Sequence, residues 1–506
     1  MNKKTPFWQN TNVWTHNIVL VGKGVFIIMG EGKKDYGNVK KKIEENISFL
    51  NKIFAVDVNF DIIHKVVEIG GKTSCIYFID GFNKDDITQK ILQYFYSIQE
   101  KDMAKTAREM SVKYMPYGET ELTNKFEDVI KFVLSGQMAL LIDGFEECIM
   151  IDNREYPVRS VGEPEKDKVL RGSKDGFVET IVFNTALIRR RIRSTDLCME
   201  ITSAGNSSRT DIALCYMNDR VDHGFLENIK DKIRRLDVDA LTMNQESLAE
   251  CLYQRKWYNP FPKFKFSERP DTASAQILEG NVVILVDNSP SAMILPTTIF
   301  DVIEEADDYY FPPLTGTYLR LSRFLIALLT YFIPPTFLLL MLHPEWIPKG
   351  FEFILVQESI HVPLIWQFLI LELALDGLRL AAVNTPNMLS TPLSIMAALV
   401  LGEFSVNSGW FNSEVMLYMA FVALSTYTQQ SYELGYAIKF MRIITLILTQ
   451  WFSIWGYVGG ILFTMIVIAT NKTISGNSYI SPIYPFDGKQ LKKRFLRTRL
   501  PHTYHE

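Results

Sequence analysis

The alternation of apolar and polar residues changes character near Leu319. Before it lie about 300 residues in which short apolar runs alternate with charged positions, the pattern of a water-facing α/β protein. After it, as far as Thr470, apolar runs recur with too few charges to make a globular surface. Residues 324–342 are 19 positions without a charge, and residues 443–470 are 28. A spanning helix needs about 20 apolar residues. The expected fold class is therefore an α/β cytosolic region of two tandem subdomains followed by an all-α polytopic membrane domain.

Within the first part, residues 38–54 set Val39, Ile43, Ile47, Leu50 and Ile53 at helical spacing among lysines and glutamates. Residues 62–69 and 74–80 are β-rich runs joined by Gly70-Gly71-Lys72, a hairpin signal. Helical periodicity returns over 87–98 and over 126–134, the second closed by Gly136. A buried strand over 137–142, a turn at Asp143-Gly144 and a short strand over 147–151 follow. A polar, proline-bearing stretch then separates this unit from a second alternation: helix 178–193, strand 210–217, helix 226–236. The organisation predicted is a first subdomain over 1–157, a linker over 158–168 and a second subdomain over 169–310. A helical membrane domain over 311–475 and a basic tail over 476–506 complete it.

The overall charge of −4 averages two unlike halves and decides nothing. Cys75, Cys148, Cys198, Cys215 and Cys251 are an odd, scattered set without CxxC spacing, which argues against zinc and against a disulfide framework. They read as core residues in a reducing compartment. No signal peptide is visible: the apolar stretch 17–29 is broken by Gly22-Lys23-Gly24, so the first part is expected in the cytosol. Gly70-Gly71-Lys72-Thr73 ends like a phosphate-binding loop, but Val66 stands where its first glycine is required. The cluster Arg189, Arg190, Arg191 and Arg193 fits the solvated end of a helix, favoured by the helix dipole. The alternative is an ion-paired contact with a neighbouring subunit, for which these four are the candidates. No interleaved aromatics support nucleic acid.

In the membrane part, residues 324–342 form a first span containing Pro334-Pro335, tolerated where neighbouring helices satisfy the freed carbonyls. Residues 359–371 are short for a span and read as re-entrant or interfacial. Residues 388–410, interrupted by Glu403, and 415–432 are of ordinary length. Residues 443–470 would be about 42 Å as one helix, and Gly456, Gly459 and Gly460 allow a tilt or a tight hairpin. The tail carries Lys489, Lys492, Lys493, Arg494, Arg497 and Arg499, which puts it on the cytosolic side and makes the number of crossings even, four or six. Glu372, Asp376 and Arg379 fall on one helix face, and internal salt bridging or a polar pathway would each account for them. Lys439 and Arg442 read as snorkelling cations. Glu403 is the best single candidate for lining water.

Several stretches resemble the A subunits of the GerA-type spore germinant receptors, from about Val158 onward. They are Gly162-Glu163-Pro164-Glu165, Leu170-Arg171-Gly172-Ser173-Lys174-Asp175-Gly176-Phe177 with Glu179, and the run from Asn184 through Arg189-Arg190-Arg191 to Arg193. Val286-Asp287-Asn288-Ser289-Pro290, the acidic Glu305-Ala306-Asp307-Asp308-Tyr309-Tyr310, and His343-Pro344-Glu345 with Ile347-Pro348 follow in the family's order. Phe78-Ile79-Asp80-Gly81-Phe82 looks closer to the stage V sporulation AF branch than to the nutrient-sensing A subunits.

The resemblance implies a subunit of an oligomeric complex in the inner membrane of bacterial spores, with the N-terminal region and C-terminal tail on the core side. Its membrane domain would form an ion channel that opens during germination, and its partners would be further copies of itself, other membrane subunits, lipid and ions. Glu403 departs from the family pattern, where an uncharged polar residue is common, so its pore role rests on burial cost alone. A non-conducting receptor or scaffold is the competing reading. No nucleophile–base constellation is visible and His343 reads as a turn residue, so neither catalysis nor a cofactor or metal is expected.

Overall fold

The computed structural model describes residues 18–20, 25–27, 36–115, 119–155, 169–253, 258–384, 404–429 and 431–497. A two-stranded ribbon, β1 (Ile18–Leu20) and β2 (Val25–Ile27), comes first. Then α1 (Ile43–Phe54) buries Ile43, Asn46, Leu50 and Phe54 along one stripe, the spacing of a helix with a single core-facing side. β3 (Ile62–Ile69) and β4 (Lys72–Ile79) pair antiparallel, Ile69 opposite Lys72. Their turn residues Gly70 and Gly71 both have positive φ (52° and 73°), which glycine adopts without strain and a tight hairpin turn of this hand requires. α2 (Asp85–Ser97), α3 (Ala107–Lys113), β5 (Glu119–Thr123), α4 (Phe126–Leu134), β6 (Met138–Ile142) and β7 (Cys148–Asp152) complete the unit. The sheet order is β3-β4-β6-β7-β5, antiparallel throughout. Helices α1 and α4 cover one face around Cys75, Tyr77, Ala139 and Leu141, while α2 and α3 cover the other around Ile76 and Leu140.

The second unit repeats the first element for element. It runs α5 (Ile181–Arg191), β8 (Leu197–Ala204), β9 (Thr210–Met217), α6 (His223–Arg234), α7 (Gln245–Leu252), β10 (Lys265–Ser267), α8 (Pro270–Leu278), β11 (Val282–Val286) and β12 (Ala292–Leu295). Its sheet order, β8-β9-β11-β12-β10, is the order of the first sheet, again antiparallel. Helices α5 and α8 pack on one face and α6 and α7 on the other, so both units are three-layered. Phe126–Leu134, Gly136 and Met138–Ile142 correspond at identical spacing to Pro270–Leu278, Gly280 and Val282–Val286. The sequence had indicated two α/β units in tandem; that they share one topology was not legible in it.

The helical part follows a short cap, α9 (Ile299–Ile303) and α10 (Asp307–Tyr310). It comprises α11 (Pro313–Leu342), α12 (Leu364–Asn384), the single turn α13 (Ser405–Asn407), α14 (Ser413–Tyr427), α15 (Tyr432–Ala469) and the tail helix α16 (Gly488–Phe495). Among the described residues, α11 and α15 are long and apolar enough to cross a membrane. Residues 359–371 do not stand as a 13-residue segment: their second half opens α12, a 21-residue helix that continues through Glu372, Asp376 and Arg379. The linker at 158–168 and Glu403, with most of the segment that carries it, lie outside the described residues.

α15 is two helices folded back on each other. Ser453, at φ 52° and ψ −130°, breaks the helical run. Thr445 and Thr464 would be about 28 Å apart along a straight helix, yet both hydroxyls hydrogen-bond the Tyr331 hydroxyl, at 2.8 and 2.9 Å. A Cβ on Gly460 would come within 2.9 Å of the Thr445 backbone, and one on Gly456 within 1.8 Å of the Leu448 carbonyl oxygen, so the two legs touch because these positions have no side chain. The tight hairpin, rather than the tilt, is the geometry adopted.

Contacts order the ends of the bundle. His343, at the far end of α11, meets Ser453 at the hairpin tip. Gln367 near the start of α12 exchanges hydrogen bonds with Asn412 just before α14. Arg379 near the end of α12 lies over Tyr432 and Tyr436 at the start of α15. Asn471, just past α15, accepts a hydrogen bond from Asn259 of the second unit.

Candidate functional site

Three sets of buried charges join the parts of the chain. The first binds the two α/β units. Arg189, on the last turn of α5, is 0% exposed and clamps Asp61 with two bonds, Nε to Oδ2 at 2.7 Å and Nη2 to Oδ1 at 2.9 Å. Its Nη1 donates to the Leu197 carbonyl at 3.1 Å. Asp61 belongs to the loop that leads into β3, and that loop lies along the open edge of β8. There the Phe60 N–H bonds the Met199 carbonyl at 3.2 Å, and the Met199 N–H bonds Asn59 Oδ1 at 2.7 Å. The first unit thus covers an edge strand of the second, which would otherwise leave its ladder groups unpaired.

The arginine cluster is therefore not one site. Arg189 is an internal clamp, neither solvated nor open to a neighbouring subunit, because its charge is satisfied inside the chain. Arg191 pairs with Asp175 at 2.6 Å beside the Ser173 hydroxyl. Burial pushes the Asp175 carboxyl up, but the bonds from Arg191 and Ser173 more than reverse this and hold it below the usual range. Arg190 and Arg193 are exposed.

The second set lies where the second unit meets α11. Thr298 caps α9 and exchanges bonds with Asp301, which presents the next carboxylates inward. Asp308 is fully buried between Arg323 Nη2 at 2.6 Å and Arg320 Nε at 3.2 Å. Glu304 bonds Arg320 at 2.8 Å through one oxygen and Arg494 of the tail helix at 3.1 Å through the other. Arg494 also meets Asp301 at 2.6 Å, and Arg323 meets Glu305 at 3.2 Å. Lys265 Nζ donates to the Glu304 carbonyl. Gly316 lets α11 sit against the cap: a Cβ there would fall 2.2 Å from the Asp308 carbonyl oxygen.

Burial pushes Glu304 up, and the surrounding Arg320, Arg494 and Lys265 charges bring it below the ordinary carboxylate range. Glu305 goes the other way. Its burial outweighs Arg323, the Asp308 and Asp307 charges add to the effect, and its carboxyl is raised to about 7. Sequence reasoning singled out this acidic run by its resemblance but did not pair it. The available signal was the Arg320-x-x-Arg323 spacing just before the uncharged stretch, which puts both guanidiniums on one helix face.

The third set is at mid-height in the bundle. Glu372, buried on α12, accepts from Arg442 of α15 through Nε at 2.7 Å and Nη2 at 2.5 Å. Arg442 Nη1 reaches the Thr330 carbonyl of α11 at 3.0 Å, so one guanidinium ties three helices. Lys439 bonds Asp376 and the Glu372 carbonyl. Of the predicted polar residues, Glu372 and Asp376 are brought together with Lys439 and Arg442. Arg379 stands one turn further on, over the rings of Tyr432 and Tyr436 at 5.8 and 5.3 Å. Lys439 and Arg442 do not snorkel: both turn towards α12, because the Asp376 and buried Glu372 carboxylates are within reach. Among the described residues no group of three or more His, Cys, Asp or Glu side chains is placed to hold a metal ion.

Known proteins match this chain over most of its length. The profile of the family described as Bacillus/Clostridium GerA spore germination protein matches residues 48–505. Stage V sporulation protein AF of Bacillus subtilis is 34% identical over 94% of this chain and 96% of its own length. Spore germination protein KA of the same organism is 23% identical over 91% of this chain and 85% of its own. The N-terminal domain of the A subunit of the Bacillus megaterium germinant receptor GerK3 aligns with 51% of this chain and 96% of that domain. It does so at 22% identity and a TM-score of 0.39, a superposition too loose to compare folds. The profile match and the 34% identical relative together establish that this chain belongs to the GerA family of spore germination proteins.

Proposed function

We propose that the chain is a membrane subunit of a spore germination complex in the spore inner membrane, in which several copies and other membrane subunits enclose a path for ions. The observation that carries this reading is the set Glu372, Asp376, Lys439 and Arg442 at mid-height in an apolar bundle. Ionisable groups at that depth are costly and mark ion pathways or moving parts. Separating α12 from α15 would turn a neutral, closed pairing into a polar lining, a physical route from helix movement to conduction.

The topology in this proposal has six crossings. The bundle contacts among the described residues support it: α11 and the first leg of α15 lead away from the α/β region, and α12, α14 and the second leg of α15 lead back. Trp346, Trp451 and Trp455, all exposed around the far tip, fit an aromatic belt at one membrane surface. Arg320, Arg323 and the basic tail fit the cytosolic surface.

A non-conducting receptor or scaffold is favoured by one observation, that these charges satisfy each other within a single chain. Planar-bilayer recording of the purified protein separates the two. Conductance whose cation selectivity changes in Glu372→Gln, Asp376→Asn or Glu403→Gln supports the channel. Silence from folded oligomers supports the scaffold.

A further inference from the structure

The tail helix α16 has two unlike sides. Leu491, Arg494 and Phe495 share one face, and Lys489, Lys492 and Lys493 share the opposite one, both at i, i+3, i+4 spacing. The first face is docked. Arg494 pairs with Asp301 and Glu304, Arg320 donates to the Lys493 and Arg494 carbonyls at 3.1 Å each, and the Phe495 ring lies 5.8 Å from Phe300 and 5.1 Å from Phe324. Phe324 opens the uncharged run of α11, so the docked face fixes the helix at the level where that run begins.

The lysine face is exposed. Immediately before it, Ile483, Tyr484 and Phe486 are 48%, 70% and 75% exposed, an apolar and aromatic group left open by the packing of the described residues. Asp487 accepts from the Lys489 and Gln490 N–H groups at 2.9 and 3.1 Å, which orders the first turn and presents the lysines as a fixed row. A basic helix face beside exposed aromatics, held level with the start of a span, is the arrangement of a membrane-surface anchor.

We propose that residues 483–495 dock on the surface of the bilayer in which the chain is embedded, through anionic lipid headgroups. Lys489, Lys492 and Lys493 take the phosphate charge and Ile483, Tyr484 and Phe486 enter the headgroup layer. Charge complementarity and continuity with α11 select this occupant. Because Arg494 and Phe495 sit on the reverse side, the lipid surface would bear on the same cap that holds Arg320 and Arg323. The proposal rests on the reading of α11 and α15 as spans.

The test is amide hydrogen exchange of residues 483–495 in the full-length protein, in nanodiscs of phosphatidylcholine alone and of phosphatidylcholine with one-third phosphatidylglycerol. The expected result is slower exchange in the anionic discs, about fivefold for each engaged lysine, reversed by about 0.5 M salt. The triple variant Lys489→Gln, Lys492→Gln, Lys493→Gln should lose this lipid dependence, and the corresponding triple Lys→Arg variant should keep it. Equal exchange of the wild type in both discs overturns the proposal, as does protection that needs added nucleic acid or an acidic protein. A chain that enters neither disc overturns the membrane reading itself, whereas one that enters both with a lipid-independent tail overturns only the anchor.

Discussion

The two α/β units have the same elements in the same order and the same sheet topology, yet they make opposite kinds of connection. The first unit offers one carboxylate, Asp61, to a single arginine of its neighbour. The second adds a cap after its last strand, and from this cap Asp301, Glu304, Glu305 and Asp308 meet Arg320, Arg323 and Arg494. One unit is thus fastened to its neighbour by one ion pair and a short seam of hydrogen bonds, and its twin is fastened to the helical part by a network of ion pairs. Topology is shared; the charged residues at the joints, most of them outside the repeated elements, decide what each copy is fastened to.

The sharpest way to break the comparison is to remove the central carboxylate of the network. Asp308→Ala leaves two buried guanidiniums without their shared partner and should cost about 5 kcal/mol, at the upper end for breaking a buried pair. In purified protein, thermal melting followed by limited proteolysis should show α11 released from the second unit while the first unit stays resistant. Loss of the first unit at the same temperature would contradict the separation.

Arg189→Ala strands Asp61 and should cost about 3–5 kcal/mol. Here the damage belongs between the units: cleavage in residues 55–61 should accelerate and the β8 amides should lose exchange protection. Unchanged protection at Met199 would count against the clamp.

The equivalent glycines sharpen the comparison within the repeat. Gly136 and Gly280 have nearly the same φ, 96° and 97°, so alanine is strained at both. At Gly280 the new Cβ would lie 2.8 Å from the Arg220 carbonyl oxygen, a backbone atom, whereas at Gly136 it would lie 3.0 Å from the Phe82 ring, a wider gap and to a side chain. Gly280→Ala should therefore destabilise more than Gly136→Ala, each by about 1–3 kcal/mol, and equal melting temperatures would refute the difference.

The cap should also respond to pH. The Glu305 carboxyl is raised to about 7 in the folded chain against about 4.3 unfolded. Its contribution is complete below the unfolded value and is lost as pH rises towards 7. Melting temperatures between pH 5 and 8 should fall less steeply in Glu305→Gln than in the wild type. The smallest effect is expected at Arg191, whose pair with Asp175 is partly solvated. Arg191→Ala should cost about 1 kcal/mol or less.

The elements of the α/β region could be read from the chain wherever one face repeats. α1, the β3–β4 hairpin, α4 and β9 lie within a few residues of their expected limits, because periodic burial and glycine turns are local signals. The short strand β10 and the edge strand β8 escaped, since neither carries a clean alternation; β10 is moreover held by β12, further along the chain, rather than by its neighbour in sequence. In the helical part, apolar length marked α11 and α15, and the glycines marked the place where α15 turns.

What the sequence determined by itself is the division of the chain into a water-facing and an apolar part, the elements with strong periodicity, and membership of a family. Only the tertiary structure decided that the two α/β units share a topology, that α15 folds into a hairpin, and which charge meets which. The reason is physical. Periodicity acts between neighbours three or four residues apart, whereas a buried charge is settled by whatever opposite charge the fold brings within about 3 Å. For Arg189 that was Asp61, for Arg442 it was Glu372, and for Arg494 it was Asp301. Run as local patterns, those arginines look like a solvated helix end, a snorkelling cation and a basic tail; their partners, far away in the chain, make them three joints of one molecule.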